Sequence, residues 1–245
     1  MAGDTSIEWT STTWNPVTGC TKLSQGCKNC YAERMAKRLH AMGSERYRNV
    51  FDVTLHEDLI SRPRSWAKPR MIFVNSMSDL FHESVPLEFI AQIFDTMQAC
   101  PQHVFQILTK RSQRLADLAP DLTWSPNIWI GVSVENQSVI ERIDHLQSVP
   151  AKIRFLSCEP LLGPLDNLPL NNVEWVIVGG ESGPGARPMK SDWVLSILEQ
   201  CRQHKIPFFF KQWGGTKKVK TGRMLLGVEY NEFPIDSPPD VLPTF

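Results

Sequence analysis

The feature that most constrains the fold is a repeated order of short apolar segments, each followed at once by polar residues. Six such segments are plain, at residues 70–75, 103–108, 127–132, 152–156, 174–178 and 207–210. A weaker one near residues 7–12 brings the number to about seven. Strands this uniformly apolar, in alternation with amphipathic helices, are typical of a parallel sheet that is covered on its outer face.

The stretches between these strands carry helical periodicity. Helices are predicted at residues 86–100, through Leu115 and Leu118, through Val139, Ile143 and Leu146, and at residues 191–204. About seven alternations of strand and helix predict an α/β fold, a partial or complete (β/α) barrel with parallel strands and outer helices. At 245 residues the chain suits one barrel domain, residues 1–245, ending in a basic and then Pro-rich tail from about residue 214.

The composition is that of a globular protein with balanced charge. Hydrophobic residues make up 42% of the chain, and its 26 basic residues are balanced by 26 acidic ones. The net charge of the chain neither favours nor excludes binding of nucleic acid. The first six residues lack a signal-peptide pattern, and no apolar run approaches the roughly 18 residues that span a bilayer. We therefore expect a cytoplasmic protein with no membrane partner and with cysteines that are reduced or metal-bound.

Each predicted strand becomes polar at its last turn. In a (β/α) barrel these strand ends share one rim, where catalytic groups lie. A single polar ending could be no more than a helix N-cap. Ser78, Ser133 and Ser182 each have this alternative role. Six of them on one rim predict a cavity lined by polar and charged side chains. The residues are Ser76, Ser78, Asp79, Thr109, Lys110, Arg111, Ser133, Glu135, Ser157, Cys158, Glu159, Glu181 and Lys211.

Three cysteines follow the first predicted strand in a single loop. They are Cys20, Cys27 and Cys30, with the spacing C-x6-C-x2-C, and a helical pattern begins directly after Cys30. Gly19 and Gly26 break regular structure within the segment. A loop that gathers three thiolates and then enters a helix is typical of a soft-metal or iron–sulfur site.

The number of thiol ligands leaves several interpretations open. Structural zinc takes four ligands, so it would need a fourth from elsewhere, for example His40, His56 or Cys158. A 4Fe–4S cluster on three cysteines keeps one iron free for another ligand, and free thiols are the third interpretation. Position favours the cluster, because this loop lies on the predicted catalytic rim, whereas a structural zinc loop could lie anywhere.

Motifs at the strand ends resemble a known family over about residues 7–228. They are Trp14-Asn15-Pro16, Cys30-Tyr31-Ala32-Glu33, Ser78-Asp79-Leu80-Phe81-His82, Leu108-Thr109-Lys110-Arg111, Gly131-Val132-Ser133-Val134-Glu135, Ser157-Cys158-Glu159-Pro160-Leu161 and Gly179-Gly180-Glu181-Ser182-Gly183-Pro184. Together with the cysteine loop they resemble the phage-associated Gp37/Gp68 family. That family is grouped with the radical S-adenosylmethionine superfamily, and with spore photoproduct lyase in particular.

The resemblance implies a 4Fe–4S cluster on the three loop cysteines, with S-adenosylmethionine at the open iron. One electron from an external donor of the flavodoxin or ferredoxin type would cleave S-adenosylmethionine. The product is a 5′-deoxyadenosyl radical, which abstracts a hydrogen atom. The implied activity is repair or modification of a base in DNA or RNA, such as a spore-photoproduct-like pyrimidine lesion. A radical enzyme for a small molecule or peptide, and a non-enzymatic zinc-bound nucleic-acid module, are the alternatives.

Two departures from the superfamily pattern affect the expected cofactor site. The common spacing is C-x3-C-x2-C, whereas the first gap here is six residues. The superfamily's Gly-Gly-Glu segment follows the second strand, whereas Gly179-Gly180-Glu181 follows a much later one. We therefore place Ser76, Ser78 and Asp79 beside the methionyl group, with Asp79 as the ammonium partner by charge. Gly179 and Gly180 are expected to admit the ligand close to the backbone.

The remaining predicted cofactor residues are Lys110, Ser133, Glu135 and Glu181. Ion-pair support of the barrel is the alternative role for the charged ones. Cys158 ends its strand on the predicted rim. The resembled lyase quenches its product radical with a thiol, so the same role is predicted for Cys158, with burial as a small core residue as the alternative.

Two features are compatible with binding of nucleic acid. Lys211 and Trp213 could offer a cation and a stacking face to a base. The tail beyond Gly214 is basic and could contact phosphates. Its basic residues are Lys217, Lys218, Lys220 and Arg223.

Overall fold

A computed structural model of the chain describes residues 5, 7–234 and 237–243. Seven parallel strands form its main sheet, in the order β1-β4-β5-β6-β7-β8-β9. They are β1 (Thr12–Trp14), β4 (Met71–Val74), β5 (Val104–Thr109), β6 (Ile128–Ser133), β7 (Ile153–Cys158), β8 (Trp175–Gly179) and β9 (Phe208–Gln212). Two short strands, β2 (Val17–Thr18) and β3 (Thr54–Leu55), pair antiparallel as a separate ribbon.

Helices follow the strands along the chain. They are α1 (Tyr31–Ala41), α2 (Leu87–Gln98), α3 (Ser112–Leu118), α4 (Arg142–Gln147), α5 (Ser191–His204) and α6 (Lys218–Thr221). Short 3-10 helices lie at Gln25–Cys27, Glu45–Tyr47, Glu57–Leu59, Arg62–Ser65, Ala119–Asp121, Gln137–Val139 and Pro239–Val241. The helices α1, α2 and α5 begin and end close to the positions that periodicity predicts.

The sheet curls into a partial barrel with β1 and β9 as its edge strands. The ring of Trp9, which precedes β1, lies 6.3 Å from Phe155 of β7 and 6.4 Å from Trp175 of β8. Residues on strands that are so far apart in a sheet approach only if its inner face is concave. The prediction of a partial (β/α) barrel with parallel strands and outer helices is confirmed.

The two faces of the sheet bury two separate apolar clusters. The inner cluster fills the base of the barrel with aromatic side chains such as Trp129, Trp175 and Phe209. The outer cluster packs the other face against the helices, with Phe94 of α2 and Ile197 of α5 among its members. Because successive side chains of a strand point to opposite faces, neighbouring residues of one strand belong to different clusters.

Two sequence expectations need adjustment. The first strand lies at Thr12–Trp14, later than the predicted residues 7–12. The predicted helix through Val139, Ile143 and Leu146 is interrupted, because Gln137–Val139 is a 3-10 turn and α4 starts at Arg142. The side chain of Asn136 accepts from the backbone N–H of Ser138, which caps that turn.

The tail packs against the barrel, and Val241 belongs to the inner cluster. The Trp175 indole donates to the backbone oxygen of Glu232, and the Glu232 carboxylate pairs with Arg202 of α5 at 2.6 Å. Part of the predicted Pro-rich end, residues 235–236 and 244–245, lies outside the described residues. Within the described part of the chain, no helix is long and apolar enough to cross a membrane.

Candidate active site

A cavity of about 550 Å³ opens at the carboxyl ends of the strands. All three loop cysteines line it, as the C-x6-C-x2-C pattern after the first strand predicts. Six of the predicted cofactor residues line it too, namely Ser76, Ser78, Asp79, Lys110, Ser133 and Glu181. Gly180 is also at its wall, whereas Glu135, Gly179 and Cys158 are not. The rim therefore gathers most of the predicted cofactor residues into one space.

The cysteine loop is held down by the loop that follows β4. The Asn15 carboxamide oxygen accepts from the Ser76 hydroxyl at 3.1 Å and from the Met77 backbone at 3.0 Å. The Ser78 hydroxyl donates to the backbone oxygen of Val17 at 2.9 Å. Both predicted cofactor serines thus already contribute to positioning the cysteine loop.

Asp79 is buried at the centre of a hydrogen-bond network. One carboxylate oxygen accepts from the Thr109 hydroxyl and the Phe81 backbone, and the other from the Lys110 backbone and the Arg111 guanidinium at 3.3 Å. The carboxylate therefore has four donors and a positive neighbour before any ligand binds. Its role as an ammonium partner stays a prediction.

Arg111 links that network to the first cysteine. Its guanidinium is 4% exposed, pairs with Glu83 at 2.9 Å and lies 3.5 Å from the Cys20 sulfur. Burial and the charge of Asp79 nevertheless raise the pKa of Cys20 to about 11. Burial also opposes ionisation of Cys27, but the Leu23 and Ser24 backbones hydrogen-bond to its sulfur and lower its pKa.

Glu135 holds the middle of the cysteine loop. Its carboxylate is 1% exposed and accepts from the Ser24 hydroxyl at 2.6 Å and from Arg142 at 2.9 Å. A Cβ at Gly26 would lie 2.2 Å from the same carboxylate, so only glycine allows this approach. Lys110 lies 3.9 Å from Glu135 and donates to the Ser133 hydroxyl at 2.9 Å. Glu135 thus touches the loop without lining the cavity.

Glu181 holds the end of the cysteine loop. Its carboxylate accepts from Asn29, which precedes Cys30, at 2.9 Å and from the Arg187 guanidinium at 2.5 Å. Burial would raise the pKa of Glu181, but the hydrogen bonds from Arg187 and Asn29 outweigh it and lower the pKa to about 2. The carboxylate is therefore ionised throughout the physiological range.

The two glycines after β8 make room for protein groups. A Cβ at Gly180 would lie 2.0 Å from the backbone oxygen of Trp213, and one at Gly179 would lie 3.2 Å from the Glu159 side chain. The close approach predicted for a ligand is made here by Trp213 and Glu159. Ligand contact at these glycines stays a prediction.

Cys158 does not face the cavity, contrary to its predicted placement on the rim. It is fully buried in the outer cluster, and burial followed by the nearby Cys201 thiol raises its pKa strongly. Its neighbour Ser157 lines the cavity instead. The alternation of side chains along β7 thus sends the hydroxyl inwards and the thiol outwards.

The three predicted fourth ligands for zinc are also placed elsewhere. None of His40, His56 and Cys158 lines the cavity. His40 contacts the backbone oxygen of Tyr47, and His56 the Thr18 hydroxyl, each at 2.9 Å. In residues 5, 7–234 and 237–243, no three His, Cys, Asp or Glu side chains stand close enough to hold a metal ion. Cys20, Cys27 and Cys30 are among these side chains, so their part in a cluster or a zinc site stays a prediction. Three thiols are the number of protein ligands of a cluster with one open iron and one fewer than structural zinc takes.

Sequence reasoning missed several groups at the cavity wall. Asn75, Gln212 and Trp9 line it, whereas Glu159 and Lys211, which pair there at 2.8 Å, are among the predicted rim residues. Gln212 ends β9, so the polar-ending rule that found Asp79 applies to it equally. Trp9 precedes the first strand, and nothing local marks it as a wall residue.

These features define a partial (β/α) barrel protein whose mouth is covered by a three-cysteine loop. The chain belongs to the family described as protein of unknown function, DUF5131, whose model matches residues 4–234. Among curated proteins, none matches the chain in sequence.

Solved structures of spore photoproduct lyase share limited similarity with the chain. A double mutant with bound AdoMet and dinucleoside spore photoproduct is 10% identical, with a TM-score of 0.49 over 73% of this chain and 58% of that one. A complex with dinucleoside spore photoproduct is 11% identical, with a TM-score of 0.47 over 83% and 64%. The chain thus spans less than two thirds of either protein. Its function has to be argued from its own residues.

Proposed function

We propose that this protein is a radical S-adenosylmethionine enzyme with a 4Fe–4S cluster on Cys20, Cys27 and Cys30. One observation carries the proposal: three cysteines from a single loop line one cavity at the carboxyl ends of a parallel barrel. Such a cluster, when bound, leaves one iron open to S-adenosylmethionine and supplies the electron that cleaves it to the 5′-deoxyadenosyl radical.

The residues of the chain would hold and shield this chemistry. Asp79, Glu135 and Glu181 fix the loop through its neighbours, so the three thiols stay at the cavity mouth. The Arg111 guanidinium beside Cys20 offsets negative charge on the sulfur ligands. The cofactor would extend over the groups of the rim that face inwards, namely Ser76, Ser78, Lys110 and Ser133, with Gly179 and Gly180 behind them.

The proposed substrate is a base in DNA or RNA, which the enzyme would repair or modify. Tyr31 lines the cavity and is 56% exposed, so it offers an aromatic face at the entrance. Lys211 is already paired with Glu159, which leaves stacking and neutral hydrogen bonds as the main means of recognition. A small molecule or peptide substrate is the alternative within the same chemistry.

Anaerobic purification and reconstitution test the reaction class. We expect about four irons per chain, a cluster absorbance band, and 5′-deoxyadenosine on incubation with dithionite and S-adenosylmethionine. Cys27→Ala should lose both the iron and the cleavage. Cys100→Ala is the matched control, since that thiol is buried in the outer cluster and should change neither.

Two results would contradict the proposal. Colourless protein with one zinc and no cleavage would favour the zinc-bound nucleic-acid module. Iron and cleavage that survive in Cys27→Ala would show that the loop is not the ligand set.

A further inference from the structure

Four side chains at the cavity wall carry polar atoms that have no hydrogen-bond partner among the described residues. They are the Trp9 indole nitrogen, the Asn75 amide nitrogen, the Ser157 hydroxyl and the Gln212 amide oxygen. All four side chains are more than nine-tenths buried. A buried polar atom without a partner destabilises the fold, because it has lost water and gained no other hydrogen bond. Four of them around one cavity indicate that a bound molecule supplies the partners. We refer to this set as the inner subsite.

Two members of the inner subsite are held in a fixed orientation by their other atoms. The Asn75 amide oxygen accepts from the Val17 backbone at 3.1 Å, which turns the amide nitrogen away from that bond. The Gln212 amide nitrogen donates to the Ser182 hydroxyl at 2.7 Å, which leaves the oxygen unpaired. Groups oriented before binding lose little freedom when the ligand arrives, as a recognition site requires.

The charges around the inner subsite are already balanced. Lys211 donates to both oxygens of Glu159, at 2.8 and 2.9 Å. The cavity lining as a whole carries four acidic residues, Glu8, Asp79, Glu159 and Glu181, and four basic ones, Arg34, Lys110, Arg111 and Lys211. An anion placed at the inner subsite would compete with Glu159 for Lys211, so an uncharged ligand group fits better.

Part of the cavity wall is apolar. The Trp9 and Phe73 rings pack with centroids 4.7 Å apart, and both residues line the cavity together with Leu108. Aromatic walls next to a few oriented polar atoms are typical of sites that bind a planar ring.

We propose that the inner subsite binds an uncharged planar ring that carries hydrogen-bond acceptors for Asn75 and Ser157 and an N–H donor for Gln212. This inference deepens the proposed function, because the ring would belong either to the substrate or to the adenosyl group of the cofactor. The free donors of Trp9, Asn75 and Ser157 and the free acceptor of Gln212 match the hydrogen-bonding groups of a substrate base and of the cofactor's adenine alike.

Ser157→Ala gives the sharpest test, since the hydroxyl has no partner to lose. The probes are thymidine, adenosine and inorganic phosphate, titrated by ligand-observed NMR into the full-length chain before and after cluster reconstitution. We expect one nucleoside to bind, with a 5- to 10-fold weaker affinity in Ser157→Ala, about one hydrogen bond. The unfolding midpoint of the variant should be unchanged or higher.

Two further variants separate binding from folding. Asn75→Asp keeps the oxygen that accepts from Val17 and removes the free donor, so it should also weaken nucleoside binding. Because it buries a carboxylate, its affinity is measured below its own unfolding midpoint. Ser112→Ala removes a buried hydroxyl that contacts His145 at 2.9 Å outside this cavity, so it should lower stability and leave affinity unchanged.

The outcomes distinguish the possible ligands. Binding of thymidine assigns the subsite to the substrate, and binding of adenosine assigns it to the cofactor. The proposal is overturned if neither nucleoside binds, if Ser157→Ala and Asn75→Asp bind as tightly as the unchanged chain, or if phosphate binds there in preference. Nucleoside binding that depends on Ser157 in a chain that takes up no iron would leave the subsite standing and remove the radical chemistry.

Discussion

The cysteine loop and the inner subsite use polar groups in opposite ways. Around the loop, the carboxylates of Asp79, Glu135 and Glu181 are buried, charged and hydrogen-bonded to protein groups on several sides. We call these three residues the loop anchors. The inner subsite is built from neutral side chains whose hydrogen bonds remain incomplete. The comparison suggests that the charged groups stabilise the site and the neutral ones recognise its ligand.

Removal of a loop anchor should have the largest effect on stability. Among the described residues, Asp79→Ala would leave the buried Arg111 guanidinium with only the exposed Glu83 as a charged partner. We expect a loss of about 3–5 kcal/mol in the free energy of unfolding, measured with urea, because an uncompensated buried charge is expensive.

An exposed ion pair provides the matched control for Asp79→Ala. Glu45 and Arg48 pair on the surface with 83% and 71% of their side chains exposed, so Glu45→Ala should cost less than about 1 kcal/mol. Equal stability of the two variants would mean that Asp79 is not a structural anchor, and would restore it as a candidate ligand for the cofactor's ammonium group.

The anchor Glu181 gives a pH-dependent prediction. Its pKa is about 2 in the folded chain, against an ordinary value of 4.5. Because the folded pKa is lowered, the stabilisation is complete above about pH 4.5 and is lost as the pH falls towards 2. Glu181→Gln should therefore be less stable by about 2–3 kcal/mol at pH 7, and the difference should close in acid.

Denaturant unfolding of both chains at pH 7, 4.5 and 2.5 measures this difference. The control is Glu199→Gln, an exposed carboxylate of α5 that contacts Gln203 on the helix surface. A gap between the chains that stays constant from pH 7 to pH 2.5 would contradict the ionic role of Glu181.

Much of the fold is predictable because its signals are local. Apolar runs, their polar endings and helical periodicity identify the seven parallel strands, α2 and α5, with boundary shifts of a few residues. The cysteine loop is placed correctly for the same reason, since any segment that follows a barrel strand lies on the carboxyl rim.

The details of the site depend on contacts that the local sequence does not contain. Gly180 is a glycine because the backbone of Trp213, on the neighbouring strand end, approaches it. In β7, the run Ile153–Cys158 faces protein on both sides, so its composition gives no period of two. The register of β7 with β6 and β8 decides whether Ser157 or Cys158 points inwards. Ser157 pairs with Ser133 of β6 and with Ile177 of β8.

The smallest expected effect separates these two neighbours on β7. Cys158→Ala should lower the free energy of unfolding by about 1 kcal/mol, because a buried sulfur leaves a small gap in the outer cluster. Iron content, S-adenosylmethionine cleavage and nucleoside affinity should not change, whereas Ser157→Ala should change affinity and not stability. A Cys158→Ala chain with an altered product distribution would contradict this placement, since a thiol can quench a product radical only where it reaches the cavity.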